Sequence, residues 1–363
     1  MNNQLENNRV SYIDGIRGLA SLSVVAFHFY WESLGVIIPE IKNPINAFIM
    51  NGGCAVIIFF ILSGDSLSIS FFKNRDEKKL IPIFLKRHLR LTFIILIVSL
   101  IIATTMKIGI TYNKEASAIL KSEAWLGSFL NFEAGFVNSI TFAISNVYVG
   151  FGNNYNPFFW TMSFELLGSF FLILFCFCYN NIKNPDIIAF MCYLVFATLG
   201  SYLSLFFIGM LFAKARQEGL IEKIEKRISI TISFILIILL AVAISWISMQ
   251  SHLYGRNFLS RLYFFICPAI IILLYSNKVM RCVFSTKSML FLGRISYPLY
   301  AVHFIVLTTF FSYGITKSNL EKSDLYLIAF YSMIISIIMA VLLEIIERKY
   351  LKILNIYVRK IIK

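Results

Sequence analysis

An arginine and a histidine stand eleven positions apart in an otherwise apolar stretch near the N-terminus, Ile13-Asp14-Gly15-Ile16-Arg17-Gly18 through Phe27-His28-Phe29. At about 100° per residue, that spacing is three helical turns plus about 20°, so a helix puts Arg17 and His28 on one face, about 16 Å apart along its axis. Asp14 and Ser21 share that face, and Gly15 and Gly18 permit close approach of a neighbouring helix. Histidine accepts and returns a proton near neutral pH, so the chemistry on offer at His28 is general-base or nucleophilic. A purely structural histidine inside a helix bundle is an equal alternative on this stretch alone.

Other ionisable residues interrupt apolar stretches, each at a cost of roughly 2.5–3.5 kcal/mol at the centre of a membrane, which makes them functional candidates. Phe59-Phe60-Ile61-Leu62-Ser63-Gly64-Asp65 ends in a carboxylate at a depth similar to Arg17, and a structural Asp65–Arg17 pair is predicted. Lys86-Arg87-His88-Leu89-Arg90 puts Arg87 and Arg90 on one helical face, where their forks suit phosphate oxygens. Simple anchoring of a cytoplasmic loop explains the same arginines. Trp160-Thr161-Met162-Ser163-Phe164-Glu165 opens a later span; counted inward from its outer end, Glu165 lies about 10 Å deep, level with His28, and is predicted to orient the imidazole. Leu292-Gly293-Arg294-Ile295-Ser296-Tyr297-Pro298-Leu299-Tyr300 leads to His303; Ser296, Tyr300 and His303 share a face, and Arg294 points the other way. Arg261, near an outer helix end, is read as snorkelling. His88 and His252 are given no role. There is no Gly-x-Ser-x-Gly elbow, and no aspartate follows His28 at the His-x4-Asp spacing, where Glu32 and Ser33 stand instead.

The elements that must position these residues follow from composition. Of 363 residues 58% are hydrophobic and 14% charged, with mean hydropathy +0.77. A soluble enzyme, a disordered chain and a disulfide-stapled domain are excluded, because a soluble domain is about 25% charged. The six cysteines form no C-x-x-C pair. What remains is an all-α polytopic membrane bundle of about ten helices, predicted at 12–31, 52–72, 91–110, 158–179, 187–200, 201–215, 228–248, 258–276, 290–312 and 324–346. The first stretch is read as a retained helix and not as a signal peptide. The net charge of +14 then reflects the positive-inside rule, not nucleic acid. With the N-terminus inside, 23 basic residues fall on the cytoplasmic side, seven outside and three in spans, which fixes an N-in, C-in orientation. The chain reads as one domain, residues 1–363, with no internal repeat. It has a long extracytoplasmic loop at 111–157 that faces an acceptor, interfacial or dipping back into the bundle, and a basic cytoplasmic tail at 347–363.

Taken in order, the segments Asp14-Gly15-Ile16-Arg17-Gly18 to His28, Phe59 to Gly64, Arg87-x-x-Arg90, Trp160 to Glu165 and Leu292 to Tyr297 with His303 resemble the successive signatures of membrane acyltransferase family 3, over essentially the whole chain. The resemblance implies a ten-helix integral membrane enzyme that moves an acyl group, usually acetyl, from cytoplasmic acetyl-coenzyme A to a hydroxyl of an exported or lipid-linked glycan such as O-antigen or exopolysaccharide; the charge asymmetry of so compact a chain suits a bacterial cytoplasmic (inner) membrane, and an endomembrane would show the same asymmetry. It places the Arg-x10-His motif on Arg17 and His28, and the Arg-x-x-Arg motif on Arg87 and Arg90. The expected catalytic residues are His28 as general base or acyl carrier, Glu165 and Arg17. The donor is expected on Arg87, Arg90 and Arg294, with a pocket drawn from Asp14, Asp65, Ser63, Trp160, Ser163, Ser296, Tyr297, Tyr300 and His303. No metal is expected. The expected partners are acyl-coenzyme A, a glycan or glycolipid, the bilayer, and either a second copy of the chain or a glycan-assembly protein. Two positions depart from the family pattern: Ile57 stands where a polar residue is common, and Asp65 where an apolar one is. A glycolipid transporter without acyl transfer also needs intramembrane charges, but commonly shows internal repeats. A structural partner in a glycan-assembly complex needs none of these buried ionisable groups.

Overall fold

The computed structural model describes residues 10–150, 154–254 and 256–362; Arg9, Lys363 and the side chains of His252, Arg256 and Arg359 lie outside the described residues. Among the described residues ten helices carry the fold: α1 (Ser11–Ala26), α2 (Gly52–Asn74), α3 (Leu80–Ile108), α4 (Thr161–Cys178), α5 (Pro185–Thr198), α6 (Leu203–Gln217), α7 (Ile230–Tyr254), α8 (Arg256–Ser276), α9 (Lys287–Val306) and α10 (Lys322–Ile362). The described residues form no strand. Seven helical stretches among the described residues, those built on α2, α3, α4, α7, α8, α9 and α10, are long and apolar enough to cross a membrane. The other three expected spans are α1, whose polar stripe lowers its hydropathy, and the short helices α5 and α6. From Glu347 the basic segment continues α10 as helix to Ile362.

Two crossings organise the bundle, α1 against α9 and α2 against α6. Both are glycine contacts. A Cβ on Gly18 would run into the backbone of Leu292 and Gly293, and a Cβ on Gly209 into the Ile61 carbonyl and the Asp65 amide. Without side chains there, backbones approach to van der Waals contact, which drives helix association where lipid is as apolar as leucine. Backbone atoms cannot swing aside as a flexible side chain can, so Gly209→Val is expected to force α2 and α6 apart. Overpacking of this kind costs about 1–3 kcal/mol or more. Size-exclusion profile and thermal midpoint in detergent check this; a native profile and midpoint would show the crossing to be tolerant. The α9 stretch is 72% buried and that of α7 only 22%, so α1 and α9 sit centrally and α7 peripherally.

The segment between α3 and α4 is a folded insert. Lys107 lies over the Phe136 ring at the outer end of α3, while the Tyr148 hydroxyl reaches Thr92 Oγ1 (2.9 Å), about 22 Å lower by helical rise. The helical run Phe136–Val149 therefore dips back into the bundle. Such a re-entrant segment survives at membrane depth only because protein surrounds it. The chain then enters α4 through the tight turn Pro157–Trp160, with Asn156 capping the Phe158 amide (3.0 Å) and donating to the Ala301 carbonyl (3.2 Å). Consequently α4 begins deep in the bundle, beside α9, and not at its outer rim.

Candidate active site

A cavity of about 450 Å³ opens at the end of the bundle that the charge asymmetry assigns to the cytoplasm, between α1, α2, α3, α4, α9 and α10. Arg17, Lys86, Arg87, Arg90 and Arg294 line it against two carboxylates, Glu165 and Glu347. An apolar bundle focuses the field of such a cation-rich cleft, which suits a polyanionic ligand. Arg90 and Arg294 are about half exposed at the mouth, tethered to Glu347 (3.1 Å) and Glu344 (3.7 Å) of α10. Arg87 lies deeper: it pairs with Glu165, and its Nε donates to Ser169 Oγ (2.9 Å). Ser63 Oγ donates to the same Glu165 oxygen (2.6 Å). Arg17, in the wall formed by α1, lies 3.5 Å from Asp14 and donates to the Leu62 carbonyl (3.2 Å) and Ser66 Oγ (3.0 Å). Above Arg17 the cavity closes on Thr161 and Tyr300, whose hydroxyls lie 2.9 Å apart. The Tyr300 hydroxyl also bonds the Phe158 carbonyl.

His28 sits immediately beyond that closure. It lies in a π-helical turn, Phe27–Ser33, a widened geometry frequent at functional sites, and Ser33 Oγ bonds its carbonyl (2.6 Å). The imidazole stacks on Phe158 with ring centroids 3.9 Å apart. Trp125, from the insert, lies nearly parallel to it at 5.8 Å, and His303 of α9 at 5.2 Å. The Thr161–Tyr300 pair thus closes the basic cavity short of a half-buried histidine that is stacked on Phe158.

Several expectations need correction. Glu165 does not orient His28. Phe158 occupies the level of the imidazole, and Glu165 lies seven residues, about 10 Å, further toward the cytoplasm, because α4 starts deep after the re-entrant segment. Asp65 does not bond Arg17. It is fully buried, pairs with Arg216 and accepts from the Tyr275 hydroxyl (3.0 Å), on the side of α2 that faces α6 and α8. Of the pocket candidates, Ser63, Ser296, Tyr297 and Tyr300 line the cavity and His303 adjoins His28. Asp14, Asp65, Trp160 and Ser163 do not line it: Trp160 turns outward, 44% exposed, and Ser163 Oγ is spent on the Trp160 carbonyl (2.9 Å). Residues not singled out from sequence include Trp125, Phe158, Lys86, Glu344 and Glu347. Only Glu344, inside an expected span, carried a signal that intramembrane charge alone gave.

The structure is a helical membrane bundle with a basic inner cavity and, beyond its closure, a half-buried histidine. The chain matches the family model of an acyltransferase domain, acyltransferase family 3, over residues 10–346 and belongs to that family. No curated protein and no solved structure matches it significantly. The protein is therefore a membrane acyltransferase.

Proposed function

We propose that the protein is an O-acetyltransferase of a bacterial inner membrane, moving acetyl from cytoplasmic acetyl-coenzyme A to a hydroxyl of a cell-surface glycan precursor of O-antigen or exopolysaccharide type. The observation that carries this reading is the cation-rich cavity that closes on Tyr300, whose ring neighbours the His28–His303 pair. The donor's phosphates bind Arg90, Arg294 and Lys86 at the mouth and Arg87 deeper in, as charge-assisted hydrogen bonds. The pantetheine arm runs past Arg17 toward Tyr300. The acceptor sugar enters from outside, with its apolar face on Trp125. His28 takes the proton of the acceptor hydroxyl as its oxygen bonds the thioester carbon; the C–S bond then breaks, and the thiolate leaves and takes a proton from the imidazolium.

Label transfer from [acetyl-14C]acetyl-coenzyme A in membranes expressing the chain tests the reading. Label in a glycan or glycolipid fraction supports it; failure both to transfer label and to bind coenzyme A would refute it. The closure at Tyr300 has its own consequence. Tyr300→Leu removes the ring and the hydroxyl that seal the cavity, so acceptor-independent hydrolysis of acetyl-coenzyme A is expected to rise several-fold, since closed sites suppress such side reactions. Thiol release without acceptor measures it, and an unchanged rate would place the barrier elsewhere.

A further inference from the structure

We infer that His303 is a positioning residue that fixes which nitrogen of His28 carries the proton. This rests on the reading of His28 as the base. Five buried side-chain polar atoms lack a hydrogen-bond partner among the described residues, and two of them, His28 Nδ1 and His303 Nε2, belong to rings with centroids 5.2 Å apart and planes within 16°. Buried polar atoms are rarely left unpaired, so two on facing rings call for a common explanation.

The protonation of His303 follows from its other nitrogen. Nδ1 lies 3.3 Å from the Leu299 carbonyl oxygen, one turn back on α9. A carbonyl only accepts, so Nδ1 carries the hydrogen and Nε2 of the neutral ring is an acceptor. His28 Nδ1 satisfies that acceptor only as a donor. A rotation of the His28 ring closes His28 Nδ1–H···Nε2 His303 directly, and both unpaired atoms are satisfied together. His28 Nε2 is left with the lone pair that a general base needs.

The neighbouring groups are committed elsewhere. The Tyr300 hydroxyl serves Phe158 and Thr161, and Glu165 serves Arg87 and Ser63. Phe158 lies parallel to both imidazoles, 3.9 Å from His28 and 5.1 Å from His303, and holds them in register without competing for hydrogen bonds. His303 is fully buried, so no solvent substitutes for it. The carboxylate expected from α4 is thus replaced by a neutral acceptor from α9.

The chain has four histidines, which makes 15N-histidine labelling of the full-length protein in lipid directly readable by solid-state NMR, with His28 assigned by its loss in His28→Gln. Neutral His28 is expected as the Nδ1–H tautomer in the native protein and as a mixture or the Nε2–H form in His303→Phe. A native Nε2–H tautomer, or one unmoved by His303→Phe, would overturn the inference whether or not acyl transfer is observed. In the transfer assay His303→Phe is expected to lower kcat on the order of 10²-fold, the lower end of what a general base contributes, with KM for acetyl-coenzyme A unchanged. His303→Gln, whose amide oxygen replaces the acceptor, is expected to recover most of that loss. Equal impairment by Phe and Gln would mark a structural residue and refute positioning. Full transfer by His28→Ala would instead sink the base assignment while the tautomer result still reported on the pair.

Discussion

His28→Ala is expected to lower acyl transfer by about 10²–10⁴-fold, the range that a positioned general base contributes. At 1.36 kcal/mol per decade this is roughly 3–5 kcal/mol of transition-state stabilisation. The loss of packing is smaller: the stack on Phe158 is worth about 0.5–1.5 kcal/mol, and the half-buried ring leaves only a partial cavity. The effect on rate should therefore exceed any effect on the amount of folded protein. Because His28 does not line the basic cavity, the Kd for coenzyme A should stay at its native value. Initial rates of label transfer, paired with equilibrium binding of coenzyme A, separate the two. Native rates with normal expression would dismiss His28 as the base; a parallel loss of donor binding would make it a packing residue of the donor site.

The contrast between what the sequence shows and what it hides follows helix geometry. Within one helix, periodicity fixes both azimuth and depth. The shared face of Ser296, Tyr300 and His303 was therefore legible, as was the close approach at Gly18, which meets Gly293 of α9. Between helices neither is given. Equal depth predicts an Asp65–Arg17 pair, yet Arg216 of α6 turns into the bundle and takes that carboxylate. Depth is not given at α4 either, because the re-entrant run ahead of it starts that helix below the outer rim. A dip of 111–157 into the bundle is among the readings the sequence allows, but nothing in that segment sets how far α4 is carried inward. Trp125 lies in a short irregular segment without periodicity, and only the folded insert brings it over His28.

The second large effect concerns Arg87, and it divides into two measurements. The Arg87 and Glu165 side chains are 16% and 12% exposed, so Arg87→Ala strands a carboxylate in the bundle with only Ser63 to stabilise it. Breaking a buried pair on one side costs about 3–5 kcal/mol, enough to deplete folded protein when total stability is about 5–15 kcal/mol. Loss of activity in the single variant therefore says nothing about the donor. Arg87→Met combined with Glu165→Leu removes both charges and keeps the volume, a replacement that is often neutral or stabilising. The double variant is expected to regain the native thermal midpoint but to bind coenzyme A about 10- to 100-fold more weakly, the loss of one charge-assisted contact of about 1.5–3 kcal/mol. Arg90→Ala, at the half-exposed mouth, should weaken binding with a smaller loss of stability, although it leaves Glu347 to the neighbouring cations. If the double variant is folded and binds coenzyme A natively, Arg87 is a structural clamp and the phosphates bind elsewhere in the cavity. If the single variant is as stable as wild type, the Arg87–Glu165 pair is held for the ligand alone, and donor phosphates can displace the carboxylate without cost to the fold.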